Sequence, residues 1–354
     1  MPQIAGKKVM VTGGIGMVGK EVVRSLLANG CQVKLIDRLP APPSGEQAVP
    51  EIDSGAAAYA SCDVNDFTAL REQVRGCDSI IHLAALPQPS MGTPEVVFKI
   101  NVEGTFNVFQ AAAEEGIQRV VQASSINAVG LYYGVKEVDP LYFPIDEDHP
   151  PFTTDAYSFS KQMVEEIGRY FWRREGISSV SLRLPGVLPA AFYEHWQERR
   201  FNPKELIDRL LGMPEDERTA WLEDKYEAFR TVRRERQMET PEYWQNLWSN
   251  MSPQDRENRM VTASKWNFWA MIDERDSAQA FVKGLGADYE GSHALYINDR
   301  ANIMGVESET ILRIFFPGVT QRKRPLVGSE AIVSIDRARA LIGFEPEYSF
   351  ASLI

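Results

Sequence analysis

The sequence predicts a doubly wound α/β fold, a parallel sheet with helices on both faces, joined to a smaller and mainly helical domain. Three observations carry this expectation. From residue 9 onward, short apolar runs alternate with segments of helical periodicity, the pattern of right-handed βαβ units. One run, Ser79 to Ala85, is apolar almost throughout, as a parallel strand covered on both faces must be. Gly13, Gly16 and Gly19 stand three apart between the first run and the first helical segment.

The first strand, Val9 to Thr12, runs into that glycine turn, and the helix after it shows Val18, Val22, Val23, Leu26 and Leu27 on one face. Gly13 permits a turn that a Cβ would obstruct, and Gly19 lets helix and strand pack closely. Gly16 lets an anion approach the main chain beside Met17, where the helix N-terminus offers free N–H groups. A strand before and a helix after make this a dinucleotide-binding turn. The second strand, Cys31 to Asp37, ends in an acid. A carboxylate about 20 residues beyond the glycines accepts hydrogen bonds from ribose hydroxyls and repels a 2′-phosphate. Asp37 therefore favours NAD, while Arg38 beside it leaves NADP open.

Residues 39 to 55, rich in Pro, Gly, Ser and Ala, read as a surface loop. Ala57 to Val64 is the third strand, and Asp66 starts a helix through Val74 with Phe67, Leu70 and Val74 on one face. In the fourth strand, Ser79 to Ala85, the small Ala84 and Ala85 leave room for a cofactor against the strand end, and His82 reads as a packed core histidine. Pro94 to Glu115 is read as one helix closed by Gly116, with Asn101 in its middle against amide propensity. Val120 to Ser125 is the fifth strand and ends in two hydroxyls. The glycine turn, Asp37, Ala84 and Ser125 all fall at C-terminal strand ends, where open α/β sheets hold their ligands.

Composition narrows the function. The 354 residues carry a net charge of −11, which argues against non-specific binding to nucleic acid or to an anionic membrane. Small-molecule chemistry fits better. Cys31, Cys62 and Cys77 have no CxxC spacing, and no His, Asp, Glu or Cys spacing suggests a metal. With no charged-then-apolar leader and no apolar stretch long enough for a bilayer, a cytoplasmic protein with reduced thiols is expected.

Tyr157 and Lys161 stand four apart at the start of a helix running to about Arg174, so both side chains share one face. A free tyrosine, with a pKa of about 10, is a poor base at neutral pH, and an adjacent ammonium favours its phenolate. With Ser125 bonding the substrate oxygen, the three residues can deprotonate a carbinol while hydride leaves for a nicotinamide.

In these motifs the chain resembles the extended short-chain dehydrogenase/reductase family, the NAD-dependent epimerase/dehydratases, with their Rossmann-type sheet. The matching pieces are Thr12 to Gly19, Asp37, Asp63-Val64, His82 to Ala85, Asn101 to Thr105, Ser124-Ser125, Tyr157 to Lys161, Trp269 to Asp273 with Asp276, and Leu341 to Pro346. The resemblance implies that Asp63 and Val64 touch the adenine, that Leu83, Ala84, Ala85 and Asn101 belong to the cofactor site, and that Pro185 lies near the nicotinamide. Tyr157 would be the acid/base, Ser125 its hydroxyl partner, and Lys161 also a ligand of the nicotinamide ribose. Ser125, Asn127 and Gly186 are the candidate substrate contacts.

Departures from the family narrow the reaction. Ile126 and Asn127 follow Ser125 where dehydratases carry an Asp-Glu pair, and Val129-Gly130 and Gly186 replace the Tyr and Asn usual in nucleotide-sugar epimerases. The loop from Ala123 to Tyr132 is closer to the uronate and free-sugar dehydrogenase branch. The expected function is an NAD-dependent oxidoreductase of a sugar or sugar-acid alcohol. The alternatives are an epimerase with transient oxidation and a non-catalytic dinucleotide-binding scaffold. Residues 1–185 and 268–297 are assigned to the Rossmann domain; 186–267 and 298–354 form the substrate domain, and a homodimer is expected.

Residues 192–262 have little family resemblance. They contain Trp196, Trp221, Trp244 and Trp248, with helix starts at Asn202-Pro203, Pro214 and Thr240-Pro241. Leu222, Tyr226 and Phe229 share a face of the middle helix; Trp244, Leu247, Trp248 and Met251 form a stripe on the third. Own-domain packing, a lid over the substrate cleft and an oligomer contact are all open to this insertion. Acids interleave its Arg233, Arg234 and Arg236 cluster, which speaks against nucleic acid.

Overall fold

A computed structural model describes residues 4–45, 48–194, 203–249 and 252–349. Its centre is a seven-stranded sheet in the order β3-β2-β1-β4-β5-β6-β9. The strands are β1 (Lys8–Thr12), β2 (Gln32–Asp37), β3 (Ala57–Ser61), β4 (Ser79–His82), β5 (Arg119–Ser125), β6 (Ser178–Leu184) and β9 (Ser292–Tyr296), all parallel to their neighbours. Strand order turns back between β1 and β4, and ligands of such sheets bind at that switch point, beyond the carboxyl ends.

Helices α1 (Met17–Ala28) and α12 (Glu274–Gly286) pack together on one face; α3 (Phe67–Val74), α5 (Gly104–Glu114) and α6 (Ala156–Glu175) cover the other. Side chains alternate along a strand, so Val9 and Val11 join Val22, Leu26 and Phe281, whereas Met10 between them joins Phe109 and Phe171. Both sets are apolar, which is why the buried strands read as unbroken apolar runs.

Two strands stop short of the expected ends. The last pairs of β3 and β4 are Asp37 with Ser61 and Thr12 with His82, because β1 turns away at Gly13 and β2 ends at Asp37. Asp63, Val64 and Leu83 to Ala85 consequently lie in loops leaving the sheet. The loop at 39 to 55 holds one short helix, α2 (Pro50–Asp53). The helix expected over residues 94–115 is interrupted: α4 (Pro94–Phe98) passes into a π-helical turn, Lys99–Glu103, before α5.

The second core gathers Phe143, Trp266, Phe268, Trp269 and Phe316, with α13 (Ser308–Phe315) packed in it and α14 (Asp336–Ile342) returning to the Rossmann face. Phe268 to Ala270 belong to this core, and β8 (Met271–Asp273) pairs with β7 (Gly186–Leu188) in a separate two-stranded sheet rather than with the main one. A boundary at 185/186 and 267/268 thus puts two paired strands in different domains.

Past the short α7 (Ala190–Glu194), the insertion forms α8 (Pro203–Gly212), α9 (Glu215–Arg234) and α10 (Pro241–Ser249), at the three expected starts. A fourth helix, α11 (Pro253–Ala263), was not expected; Ser252 caps it by accepting the Asp255 N–H at 3.1 Å. Leu222, Tyr226 and Phe229 are buried in the second core, so α9 packs on its own domain. Trp196, Asn202, Met251 and the side chains of Leu247 and Trp248 lie outside the described residues. Among those described, no helix is long and apolar enough to cross a membrane, and the three cysteines are buried and unpaired.

Candidate active site

A cleft of about 870 Å³ opens at the C-terminal ends of β1, β2, β4, β5 and β6, within the usual size range for small-molecule sites. Gly13, Gly16, Met17, Asp37, Asp63, Val64, Leu83, Ala84, Ala85, Ser125, Asn127, Tyr157, Lys161, Pro185 and Gly186 all line it.

The glycine turn is built as a cradle. Gly13 has φ +68° and lies so close to the fourth strand's exit that a Cβ would stand 2.7 Å from the Ala84 nitrogen. At Gly19 a Cβ would be 2.6 Å from the Gly13 oxygen, inside the helix-strand contact. Gly16 differs, since a Cβ there would meet no protein atom nearer than 3.5 Å; it faces the cleft. Gly16 is also the N-cap of α1 and supplies no side-chain cap, so the first-turn N–H groups are left for an anion. Asp37 ends β2 at the far side, its Oδ1 accepting the Leu39 N–H at 3.4 Å, and burial pushes its carboxyl up. Arg38 lines the same end. These residues fit a dinucleotide with its pyrophosphate at Gly16.

Ser125 caps the short turn Ile126–Val129, its Oγ accepting N–H bonds from the Asn127 backbone at 3.1 Å and side chain at 3.4 Å. That leaves its own O–H free to donate. Ser124, its neighbour on the strand, points the opposite way and donates to Glu165 at 2.7 Å. Tyr157 opens α6 behind Asp155, whose Oδ1 accepts the Ser158 N–H at 2.8 Å as the helix cap.

The electrostatics depart from the expected pattern. Lys161 donates to the Ala123 carbonyl at 3.1 Å. Burial pushes the Tyr157 phenol up to about 12, opposed by its hydrogen bond to Ser125. Burial also lowers the Lys161 ammonium to about 8, with the Glu165 carboxylate opposing. Burial is the largest cause of both shifts, so at neutral pH the tyrosine is a phenol and the lysine a cation.

Asn101 is not among the lining residues. It is 1% exposed, and its amide is committed: Oδ1 accepts the Leu86 N–H at 2.8 Å, while Nδ2 donates to the Leu86 carbonyl at 3.2 Å and to Ser160 at 2.9 Å. It therefore holds the loop that follows Ala85, one shell behind the cleft. His82 is buried between Thr12 and Thr105 at 2.7 and 3.1 Å, and burial takes it down to about 3; it is a neutral core residue.

Several lining residues were not read from the sequence: Gln88 and Met91 beyond Ala85, and Ser264, Asn267 and Met271 just past the insertion. The Pro87-Gln88-Pro89 turn signal and the return of family pattern at Lys265 mark where they lie. Tyr133 sets its ring edge-on to Tyr157, with centroids 5.4 Å apart at 87°.

Residues 9–211 match the model of the NAD dependent epimerase/dehydratase family. The chain is 30% identical over 197 residues to an NAD-dependent glucose-6-phosphate dehydrogenase of Haloferax volcanii, covering 53% of this chain and 73% of that protein. It is 25% identical over 240 residues to a uronate dehydrogenase of Pseudomonas syringae pv. tomato, covering 62% and 78%. Among solved structures, a UDP-glucose 4-epimerase of Thermotoga maritima with UDP-glucose superposes with a TM-score of 0.58 at 16% identity, over 97% of this chain and 95% of that one. At that identity the likeness is one of fold.

Proposed function

The chain belongs to the NAD-dependent epimerase/dehydratase family, and from that premise we infer that it oxidises a sugar or sugar-acid alcohol, or reduces the corresponding carbonyl, with NAD as cofactor. It is an enzyme of the extended short-chain dehydrogenase/reductase type. The observation that carries the specific reading is the convergence of Ser125, Tyr157 and Lys161 on the same cleft as the glycine turn.

Gly13, Gly16 and Met17 would hold the pyrophosphate, Asp37 the adenosine ribose, and Asp63 and Val64 the adenine, with Ala84, Ala85 and Pro185 along the cofactor's length. When bound, NAD supplies a two-electron hydride acceptor. Ser125 donates its O–H to the substrate oxygen and fixes it. Tyr157 exchanges a proton with that same oxygen at its phenolic O. Since the phenol is protonated at neutral pH, reduction of a carbonyl uses Tyr157 as it stands, whereas oxidation requires its proton to leave first. The Lys161 cation favours the phenolate as it forms. Asn127 and Gly186 flank the substrate.

An epimerase keeps the same three residues, so product analysis separates the readings. Purified protein is incubated with NAD and a panel of aldoses, uronic acids and nucleotide sugars, following nicotinamide absorbance and sugar stereochemistry together. Net NADH is the expected result. Isomerised sugar without NADH would replace this reading by epimerisation, and cofactor binding with neither product would replace it by a scaffold.

A homodimer is part of the proposal. Val96, Phe106, Phe159 and Tyr170 are about 40% exposed on α4, α5 and α6, and Phe98 stacks on Phe159 as Phe106 does on Tyr170. An exposed apolar face on neighbouring helices suits a second copy. The buried, unpaired thiols suit a reducing, cytoplasmic setting.

A further inference from the structure

Arg233 lies near the end of α9, 2% exposed. Its guanidinium sits 5.0 Å from the centroid of Trp266 and 5.5 Å from that of Phe229, and those rings stack at 4.8 Å. One nitrogen, Nη2, donates to the Leu131 carbonyl and, at 2.9 Å, to the Tyr132 carbonyl. The other two, Nε and Nη1, are buried without a hydrogen-bond partner among the described residues. Burial accordingly lowers its pKa to about 10.

A buried cation with two unpartnered nitrogens is costly to the fold, and an apolar side chain of similar volume would fill the place more cheaply. What the guanidinium adds is directional. Gathering two consecutive carbonyls on one nitrogen fixes the peptide planes on both sides of Tyr132, and so the direction in which Tyr132 and Tyr133 leave the chain. Both tyrosines line the cleft. Tyr132 lies 6.0 Å from Phe229, and Tyr133 stands between Tyr157 at 5.4 Å and Trp244 at 6.4 Å. Trp244 is held in turn by its indole N–H on the Met238 carbonyl at 2.9 Å. The Gln237–Glu239 turn packs against the Pro89–Met91 turn, which brings Met91 to the cleft from another side.

We propose that Arg233 is the positioning residue of the substrate wall: by holding the Leu131 and Tyr132 carbonyls it sets Tyr133 against Tyr157, making the helical insertion a fixed determinant of which alcohol reaches the Ser125–Tyr157 pair. The second half of this statement rests on the function proposed above; the first does not.

The test compares the full-length Arg233→Met and Arg233→Lys proteins with wild type, using Arg234→Met, an exposed neighbour on the same helix, as control. Hydrogen-deuterium exchange read by mass spectrometry needs no turnover. Arg233→Met should speed exchange about tenfold or more in the peptide spanning residues 126–136, a loss of local protection, while leaving residues 9–37 and NADH affinity as in wild type. Arg233→Lys, which keeps a donor but not the fork, should fall between, and it carries the test if the Met protein does not fold. With NAD and either D-glucose or D-glucuronate, the Met substitution should change the ratio of the two kcat/KM values about tenfold, or 1.4 kcal/mol, leaving the KM for NAD alone. Exchange over 126–136 that stays at the wild-type rate, or that rises equally throughout the chain, would overturn the proposal. If wild type oxidises neither sugar, the kcat/KM comparison moves to two substrates from the panel above that it does turn over, and the exchange comparison still decides the role of Arg233.

Discussion

Glu165 and Arg183 meet inside the protein through two hydrogen bonds, Nε to Oε1 and Nη2 to Oε2, each of 2.9 Å. Glu165 is also the acceptor of Ser124, so one carboxylate ties the helix that carries Tyr157 and Lys161 to the ends of β5 and β6. Removing one member strands the other as a buried charge. Glu165→Gln is expected to lower stability by about 3–5 kcal/mol, read by denaturant unfolding. The double change Glu165→Leu with Arg183→Met should recover most of that loss, and a double variant no better than the single would assign the cost to packing alone.

Tyr157→Phe retains the ring and its edge-on contact with Tyr133 while deleting the proton that Tyr157 is proposed to move. Turnover should fall by about 10² to 10⁴-fold, with NADH affinity unchanged in a fluorescence titration. Activity within a few-fold of wild type would remove Tyr157 from the acid/base role.

Burial sets the Lys161 ammonium against the stability of the fold. It holds the ammonium at about 8 in the folded protein, below the ordinary lysine value of 10.5, so below pH 8 the folded state bears a charge it disfavours. Between about pH 8 and 10.5 the unfolded chain holds a proton that the folded chain has released, and stability rises with pH. Lys161→Met should therefore be inactive yet more stable than wild type at pH 7, by about 1–3 kcal/mol. In unfolding curves at stepped pH, that gap should narrow from pH 8 to 10.5; a gap independent of pH would mean that Lys161 is not the group titrating.

Asp37 and Arg38 line the same end of the cleft with opposite charge. Replacing Asp37 with Ala should weaken NAD more than NADP and move the ratio of their kcat/KM values about tenfold toward NADP, about the worth of one good charge-assisted contact. An unchanged ratio would refute a ribose role for this carboxylate.

For the dimer, Phe159→Glu places a charge in the exposed face shared by α4, α5 and α6. Light scattering after gel filtration should show a dimer for wild type and a monomer for the variant, and a wild-type monomer at micromolar concentration would end the proposal.

The sheet was legible because parallel strands buried on both faces must be apolar, and Val9 to Val11 with Ile80 and Ile81 meet that demand without ambiguity. The cleft residues were legible because turns and strand ends impose residue types: only glycine tolerates the contacts at Gly13 and Gly19, and Tyr157 and Lys161 need a helical spacing of four. What escaped the sequence depends on contacts between distant segments. Nothing local tells that Met271 pairs with Gly186, or that Asn267 enters the cleft from beyond a long insertion. Asn101 was seen as misplaced in a helix, but its partners, Leu86 and Ser160, lie 15 and 59 residues away. Spacing likewise tells that Tyr157 and Lys161 share a helix face, but not the desolvation that pushes the phenol up and the ammonium down.

The π turn at Lys99–Glu103 behaves as a dislocation in an otherwise regular lattice. Its wider turn adds one residue to the helical circuit, shifting everything before it by about 100° in azimuth relative to everything after. Asn101 sits at the fault itself. Removing one residue there would anneal the helix into continuous α form, yet it would turn Phe98 away from Phe159 or Asn101 away from Leu86. The local irregularity is thus what lets a single rod satisfy two mismatched neighbours, an outer aromatic face and the inner loop that borders the cleft.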